Sequence, residues 1–316
     1  MHSPDVSVII VNWNTANLLR ACLRSIQTEM RAFVAEVIVV DNDSADGSAQ
    51  MVATEFPEVI LIANAQNLGF AKANNQGLEV GTGRYMLLLN PDTVVLDTAI
   101  DKMIAFADSK PAAQLGIVTS RLLNDDRTLQ RSVHKFYSFG RSFLENRFFT
   151  DLASKFGIFG KFQSNSWAHD TTKVIDWAYG AVMLFSRDFL DSVGKLDERF
   201  YIYAEEMDYF MRAQKAGRDS WFCSEANIVH IGRASTRQRK AAMFIQNYKS
   251  FYIFLLKHYG LTDYWLYRLR ASIYLVLWYC RFMPFSDQES KANKQVYAET
   301  LKWHLSPDSF NLLQAV

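Results

Sequence analysis

Only three of the 316 residues are cysteine, at positions 22, 223 and 280. An odd number at such wide spacing forms neither a disulfide framework nor a zinc site, and a reducing cytoplasm is the expected setting. An excess of either charge is also missing. Thirty-four Lys and Arg face 33 Asp and Glu, a net charge of +1. That excludes a nucleic-acid binder driven by a broad basic surface, so no nucleic acid is expected as a partner. The opening "MHSPDVSVIIVNWN" has no basic stretch followed by a long apolar one, so no signal peptide is expected. Membrane-length apolar runs are lacking as well. In the aromatic-rich stretch Tyr248 to Phe285 the longest uncharged run, Ala271 to Cys280, is far too short to span a bilayer. Arg268, Arg270 and Arg281 flank it. Two readings follow: an interfacial or partner-binding helix, or a C-terminal helix packed on the protein itself.

What is present is a large apolar fraction, 49% of residues, enough for a sizeable core. It is arranged in a repeating order. Val6 to Val11 is a β-branched run of the kind covered on both faces. Leu18, Leu19, Cys22, Leu23 and Ile26 recur at helical spacing. "EVIVVDN" (36–42) is a second strand, followed by a helix to about Phe56 with Ser44 or Asp46 as its N-cap. Val59 to Ala63, Phe70 to Val80 and Tyr85 to Leu89 read as strand, helix and strand. Alternation of this kind predicts a mostly parallel central sheet with helices on both faces.

Ligands of such sheets sit at the carboxyl ends of the strands. Those ends are polar here: Asn12 and Asn14, Asp41 and Asn42, Asn90 and Asp92. No G-x-G-x-x-G follows the first strand, which disfavours a dinucleotide fold. The stretch 131–170 mixes basic and aromatic residues without a clean period, as a loop-rich insertion or short helices would. Order returns over "VIDWAYGAVMLFSR" (174–187), then a short helix, "RDFLDSVG". The helix that follows carries Met207, Phe210, Met211 and Gln214 as its stripe, Glu205 and Glu206 in its first turn, and Gly217 as its C-cap. "ANIVHIG" is a last strand, ending at His230.

Taken singly, each polar residue has an ordinary structural explanation. Asp92 in "LLLNPDT" is a turn aspartate, His230 a partly buried histidine, and Asp208 with Arg212 an i, i+4 ion pair. Taken in order, "VSVIIVNWN", "VIVVDNDSADGS", "NLGFAKANNQG", "LLLNPDT", "WAYGAVMLFSR", "LDERFYIYAEEMDYFMRAQKAG" and "IVHIGRAST" resemble family 2 glycosyltransferases, in particular the bacterial subgroup that includes rhamnosyltransferases. The resemblance covers roughly residues 5–240.

It implies a GT-A fold: a Rossmann-like α/β domain over 1–240, with a nucleotide-sugar half to about residue 120 and an acceptor half to 240. A helical, aromatic-rich extension follows over 241–316. It implies an inverting transfer from a nucleotide-sugar donor, dTDP-rhamnose first and a UDP-hexose second, to a saccharide or lipid-linked oligosaccharide, aided by Mg2+ or Mn2+. Asp41 and Asn12 match the base pocket. Asn67, Phe70, Lys72 and Asn75 fall in the stretch closing over the nucleotide. Asn90-Pro91-Asp92 takes the place of the D-x-D motif, with Asp92 and His230 as metal ligands. Asp176, Trp177, Gly180 and Ala181 match the wall between donor sugar and acceptor. Glu206 falls on the catalytic base position, with Glu205 as the alternative. Asp208 supports that pair, and Arg212 is a support or a diphosphate contact. Asn90 and Glu206 depart from the Asp of the family pattern.

Two other classes compete. A nucleotidyltransferase needs a Gly-rich, Lys/Arg-bearing phosphate loop after the first strand, which "NWNTANLL" lacks. A catalytically inactive glycan-binding or scaffold protein needs the Asp, His and Glu positions to be degraded together. Residues 264–285 suit peripheral contact with the cytoplasmic face of the inner membrane, or a homodimer.

Overall fold

In the computed structural model, which describes residues 3–138, 167–232 and 240–314, the first strand β1 (Val6–Asn12) is buried at every residue. Its β-branched run therefore has apolar cover on both faces, as expected. It is flanked in parallel by β2 (Ala35–Asp41) and β4 (Tyr85–Leu89), and β3 (Ile60–Ala63) pairs in parallel with β2. The register sets Asn12 beside Asp41, so two polar strand ends fall on one edge. Between these strands run α1 (Ala16–Glu29), α2 (Ser48–Glu55) and α3 (Phe70–Val80). α1 buries Leu19, Cys22, Leu23 and Ile26, the spacing of one helical face. Each such leucine or isoleucine contributes about 1.5–3 kcal/mol of burial.

The sheet continues through β5 (Thr93–Val95), β6 (Leu115–Leu123), β10 (Val182–Ser186) and β11 (Asp219–His230), with α4 (Ala99–Asp108) preceding β6. Its order is β3-β2-β1-β4-β10-β6-β11-β5, with the short strand β8 (Lys173–Val174) added on β11. The parallel character expected from the sequence holds for β3-β2-β1-β4 and for β6 with β11. β10 runs antiparallel between β4 and β6, and β5 antiparallel to β11. β10 thus carries a sheet begun in the first third of the chain into its middle. The division near residue 120 is no break in the sheet. A separate two-stranded ribbon joins β7 (Val133–His134) to β9 (Trp177–Ala178).

Two details of the expected helix ends change. Asp46 accepts the Ser48 amide at 3.1 Å, so it acts near the start of α2, but it also takes the Ala16 amide of α1 at 2.8 Å. Ser44 caps nothing in α2. Its Oγ accepts from Asn14 N at 2.9 Å and Asn12 Nδ2 at 3.1 Å and so ties the ends of β1 and β2. α5 (Arg187–Val193) is the short expected helix, capped by Ser186, whose Oγ accepts from Phe189 N. α6 (Glu205–Lys215) buries Met207, Phe210 and Met211, but Gln214 is exposed and Ala213 takes its place. Gly217, at φ +72°, ends α6: its amide bonds Gln214 O at 3.0 Å and the Arg218 amide bonds Ala213 O at 3.0 Å. These two bonds form a Schellman motif, which needs the left-handed residue that glycine supplies without strain.

These elements form one compact unit, of residues 3–136, 167–201 and 205–232. The other unit comprises 137–138, 202–204 and 240–314. Its long helices are α7 (Lys240–His258), α8 (Leu261–Phe282) and α9 (Gln288–His304), packed around Tyr248, Tyr252, Tyr264 and Leu275. α8 turns Tyr264, Arg268, Ala271 and Leu275 inward and leaves Trp265, Leu266, Leu269, Ile273 and Val276 exposed. The reading of a helix packed on the protein itself therefore holds for the inward face. Among the described residues no helix is long and apolar enough to cross a membrane. The expected loops or short helices over 139–166 lie outside the described residues.

Candidate active site

The strand ends bring the predicted residues of the first half to one edge. At β2, Asp41 is buried. Its Oδ1 accepts the Ser44 amide at 3.0 Å and its Oδ2 the Asn12 Nδ2 at 2.9 Å. Asn12 has no exposed surface, and its Oδ1 accepts the Thr15 hydroxyl. Asn12 therefore holds Asp41 in position and does not line a pocket, a correction to its expected role. The next residue, Asn42, reads in the sequence only as a polar strand end, yet it is a hub. Its amide donates to Asn67 Oδ1 at 3.0 Å and accepts from Leu68 N at 3.0 Å.

The loop from 67 to 70 is fixed by Tyr201. The Tyr201 hydroxyl donates to Asn67 Oδ1 at 2.9 Å, and the Phe70 amide donates to Tyr201 O at 2.6 Å. Gly69 is at φ +84°, and a Cβ there would lie 2.6 Å from the Tyr201 ring and carbonyl, so only glycine fits. Phe70 is half-buried and Lys72 exposed at the start of α3. Asn75 does not reach the strand-end edge. It is buried, its Nδ2 donates to Leu196 O at 2.9 Å and Glu198 Oε1 at 3.0 Å, and its Oδ1 accepts from Leu196 N. It ties α3 to the chain ahead of α6, and the nucleotide contact expected of it is corrected accordingly.

At the end of β4 the polar triplet is a turn and a site corner at once. Asn90 O accepts the Thr93 hydroxyl at 2.7 Å. β5 then pairs Thr93 with His230 of β11, and the Ile231 amide bonds Asp92 O at 3.0 Å. The side chains converge: Asp92 Oδ1 and Asn90 Nδ2 each lie 3.4 Å from His230 Nε2. Asp92 and His230 are 138 positions apart in sequence and adjacent only through that pairing. The Asp92 carboxylate has no closer polar partner among the described residues. An oxygen and an imidazole nitrogen at this spacing fit two neighbouring ligands of a six-coordinate ion, which sit about 3 Å apart. Two side chains leave the other positions to water and to ligand phosphates. Among the described residues no group of three His, Cys, Asp or Glu could hold a metal on its own.

β10 links this corner to α6. Its register sets Val182 opposite Leu89, and the Asn90 amide donates to Ala181 O at 2.9 Å. The preceding residue, Gly180, lies against Glu206: a Cβ on it would be 3.1 Å from the Glu206 Cβ. Gly180 is thus small because Glu206 approaches it, while Ala181 binds the β4 end through its carbonyl. Asp176 is held by Lys135 Nζ at 2.8 Å and the Phe136 amide at 3.0 Å. Trp177 stacks on His134 with centroids 4.8 Å apart and donates its indole N–H to Lys135 O. Both anchor the β7–β9 ribbon. His134 and Tyr179, which sequence reasoning missed, join Trp177 in one aromatic group.

α6 begins after two left-handed non-glycine residues, Tyr203 (φ +71°) and Ala204 (φ +64°), a strained entry. Its two leading carboxylates differ in environment. Glu205 is buried, and its Oε2 has no hydrogen-bond partner among the described residues. Burial first, then Glu206 and Asp208, push its pKa well above the ordinary glutamate range. Glu206 is half-buried. Of the two, Glu205 is the more deeply buried and Glu206 the one that keeps contact with solvent. Asp208 has no exposed surface and pairs with Arg212 Nε at 2.9 Å. Arg212 also donates to Val193 O and Lys195 O, both at 2.8 Å. All its nitrogens are committed to the scaffold. Asp208 is therefore no catalytic group, and the diphosphate contact offered for Arg212 is corrected to a brace.

A family model described as Glycosyl transferase family 2 matches residues 7–166. The chain is similar to the N-acetylglucosaminyl-diphospho-decaprenol L-rhamnosyltransferase of Mycobacterium tuberculosis, at 26% identity over 245 residues, 71% of this chain and 76% of that protein. It is similar to the low-salt glycan biosynthesis hexosyltransferase Agl10 of Haloferax volcanii, at 24% identity over 230 residues, 72% and 67% of the two chains. Among solved structures, GalNAc-T7 with UDP, GalNAc and Mn2+ superposes with a TM-score of 0.59 at 13% identity, over 99% of this chain and 58% of that one. That likeness concerns the fold, which is GT-A.

Proposed function

The chain belongs to glycosyl transferase family 2, and from that premise we propose that it moves a sugar, with inversion, from a nucleoside diphosphate donor to a hydroxyl of a saccharide or lipid-linked oligosaccharide. The observation that carries this reading is the route Glu206–Gly180–Ala181–Asn90. It sets the Glu206 side chain against the segment that is bonded to the turn carrying Asp92. dTDP-rhamnose is the first candidate donor, because the M. tuberculosis relative is named for rhamnosyl transfer, and a UDP-hexose is the second. That relative's name also gives a diphospho-decaprenol acceptor, which supports a lipid-linked acceptor here.

In this reading Asp41 accepts a hydrogen bond from the pyrimidine of the donor. Asn67 and Phe70 border the nucleotide on the loop that Tyr201 fixes, and Lys72 offers a cation to the phosphates. Asp92 and His230 hold a divalent ion, Mg2+ or Mn2+. When bound, such an ion neutralises the charge that develops on the departing diphosphate. Glu206 takes the proton of the acceptor hydroxyl as that oxygen attacks the anomeric carbon from the face opposite the diphosphate. The uncharged exposed face of α8 contacts the membrane in which a lipid-linked acceptor resides, at its cytoplasmic side. Liposome flotation checks that contact. A concentration-dependent dimer without vesicle binding would show instead that a second copy covers the face.

The central test is a donor screen with dTDP-rhamnose and UDP-hexoses, with and without Mn2+ or Mg2+, in wild type and Asp92→Ala. The reading requires donor turnover that chelation and Asp92→Ala both abolish. Glycan binding without turnover of any donor would favour an inactive binding protein of the same fold.

A further inference from the structure

Gln130 belongs to no motif, yet it makes the shortest contact to the His230 ring, with Oε1 2.7 Å from Nδ1. The rest of its amide decides which atom that is. Gln130 Nε2 lies 3.0 Å from the His230 carbonyl oxygen, which can only accept. The nitrogen end is therefore fixed on that side, and the oxygen end faces the ring. Asn124 repeats the constraint. The Thr128 hydroxyl spends its hydrogen on Asp126 Oδ1, so it accepts from Asn124 Nδ2 at 2.9 Å, and Asn124 Oδ1 is the acceptor 3.1 Å from Gln130 Nε2. The turn that carries both is closed by Asn124 N to Thr128 O at 2.8 Å and Arg127 N to Asn124 O at 2.9 Å. Gln130 itself is pinned to β6 through its amide bond to Leu122 O at 2.9 Å.

A carbonyl oxygen at 2.7 Å demands a hydrogen on Nδ1. A neutral imidazole has only one, so Nε2 is bare. Free imidazole of a histidine side chain prefers the opposite arrangement. The bare nitrogen points at Asp92 Oδ1, 3.4 Å away. Two acceptor atoms thus face each other, with the Asn90 Nδ2 at 3.4 Å from Nε2 as a long donor contact. Such a pair suits a cation between or beside its members.

We infer that Gln130 is a positioning residue: it fixes His230 with its hydrogen on Nδ1 and turns the bare Nε2 toward Asp92 as the nitrogen ligand for a divalent cation. The cation part rests on the function proposed above; the tautomer part does not. Gln130 supplies a neutral version of the acceptor that commonly orients a metal-binding histidine from behind.

The experiment is long-range 1H–15N correlation on the full, metal-free chain at about pH 8, where an ordinary imidazole is neutral. His230 is assigned by comparison with His230→Asn. The wild type must show the hydrogen on Nδ1, Gln130→Leu must revert to Nε2–H, and Gln130→Glu, which keeps an acceptor, must retain Nδ1–H. A wild-type His230 with its hydrogen on Nε2, or a Gln130→Leu spectrum unchanged from wild type, overturns the inference. If Gln130→Leu does not fold, the wild-type and Gln130→Glu spectra decide. Mn2+ titration with dTDP present should then weaken about 10- to 100-fold in Gln130→Leu and recover in Gln130→Glu. Equal Mn2+ affinity in wild type and Gln130→Leu overturns the ligand role. A wild type that binds no Mn2+ overturns the proposed metal site and leaves the tautomer to the spectrum.

Discussion

The Asn90 amide and the Ala181 carbonyl share a 2.9 Å hydrogen bond, and through it the polar end of β4 is locked to the segment that abuts Glu206. The small residues there set the spacing between a carboxylate on a helix and a carboxylate on a strand end. A Cβ at Gly180 would stand 3.1 Å from the Glu206 Cβ, so the glutamate must give by a few tenths of an ångström. Gly180→Ala should lower kcat roughly 10-fold with little change in donor KM, since small misplacements of a reacting group cost rate steeply. Steady-state kinetics with matched thermal melts check this.

Glu206→Gln should reduce kcat by about 10²–10⁴, the usual worth of a positioned base. Glu205→Gln should retain most activity, because burial and its carboxylate neighbours push the Glu205 pKa up and disfavour its charged form. Equal losses in the two variants would remove Glu206 from its assigned role.

Glu205 also makes a prediction about stability. Burial and its carboxylate neighbours hold its folded pKa well above the ordinary glutamate value of 4.5. Between 4.5 and that raised value the folded state holds a proton that the unfolded state has released, so stability falls as pH rises. Glu205→Gln has no proton to lose. Its Tm advantage over wild type should be smallest below pH 4.5 and should grow by a few degrees toward neutral pH.

His134 acts in the opposite direction. Burial foremost, then His169, lowers its pKa from 6.5 to about 4. Below 6.5 the unfolded chain takes up a proton that the folded chain takes up only near pH 4. The stability this neutral imidazole contributes is full above 6.5 and is lost as pH falls through 4, on the order of 3 kcal/mol at most. His134→Phe, which keeps a ring against Trp177, should flatten the acid limb of a pH–Tm curve.

Arg212→Met should destabilise the fold by about 3 kcal/mol, because it removes the guanidinium that pairs with the fully buried Asp208 carboxylate and holds Val193 O and Lys195 O. Donor KM in the surviving folded protein should be unchanged. A selective rise in donor KM without loss of Tm would return Arg212 to the diphosphate.

Much of the architecture was legible because apolar runs and helical stripes state which face is buried. β1, β2, β4 and α3 fall where their periodicities set them, and the polar ends of β1, β2 and β4 gather on one edge because parallel strands share a direction. Motif order was enough to pair Asp92 with His230. It was a poor guide to side-chain direction: Asn12, Asn75, Asp208 and Arg212 occupy motif positions but spend their polar atoms on the scaffold. Sequence order also hid the antiparallel β10, whose five residues read like any other buried strand.

The sequence by itself determined the alternating elements, the polar strand ends and the family to which the chain belongs, since those depend on local spacing and motif order. Only the tertiary structure decided which of two adjacent glutamates is shut away from water. It alone brought Gln130 against a histidine 100 residues distant, because burial and hydrogen-bond partners are fixed by what the rest of the chain packs around each side chain.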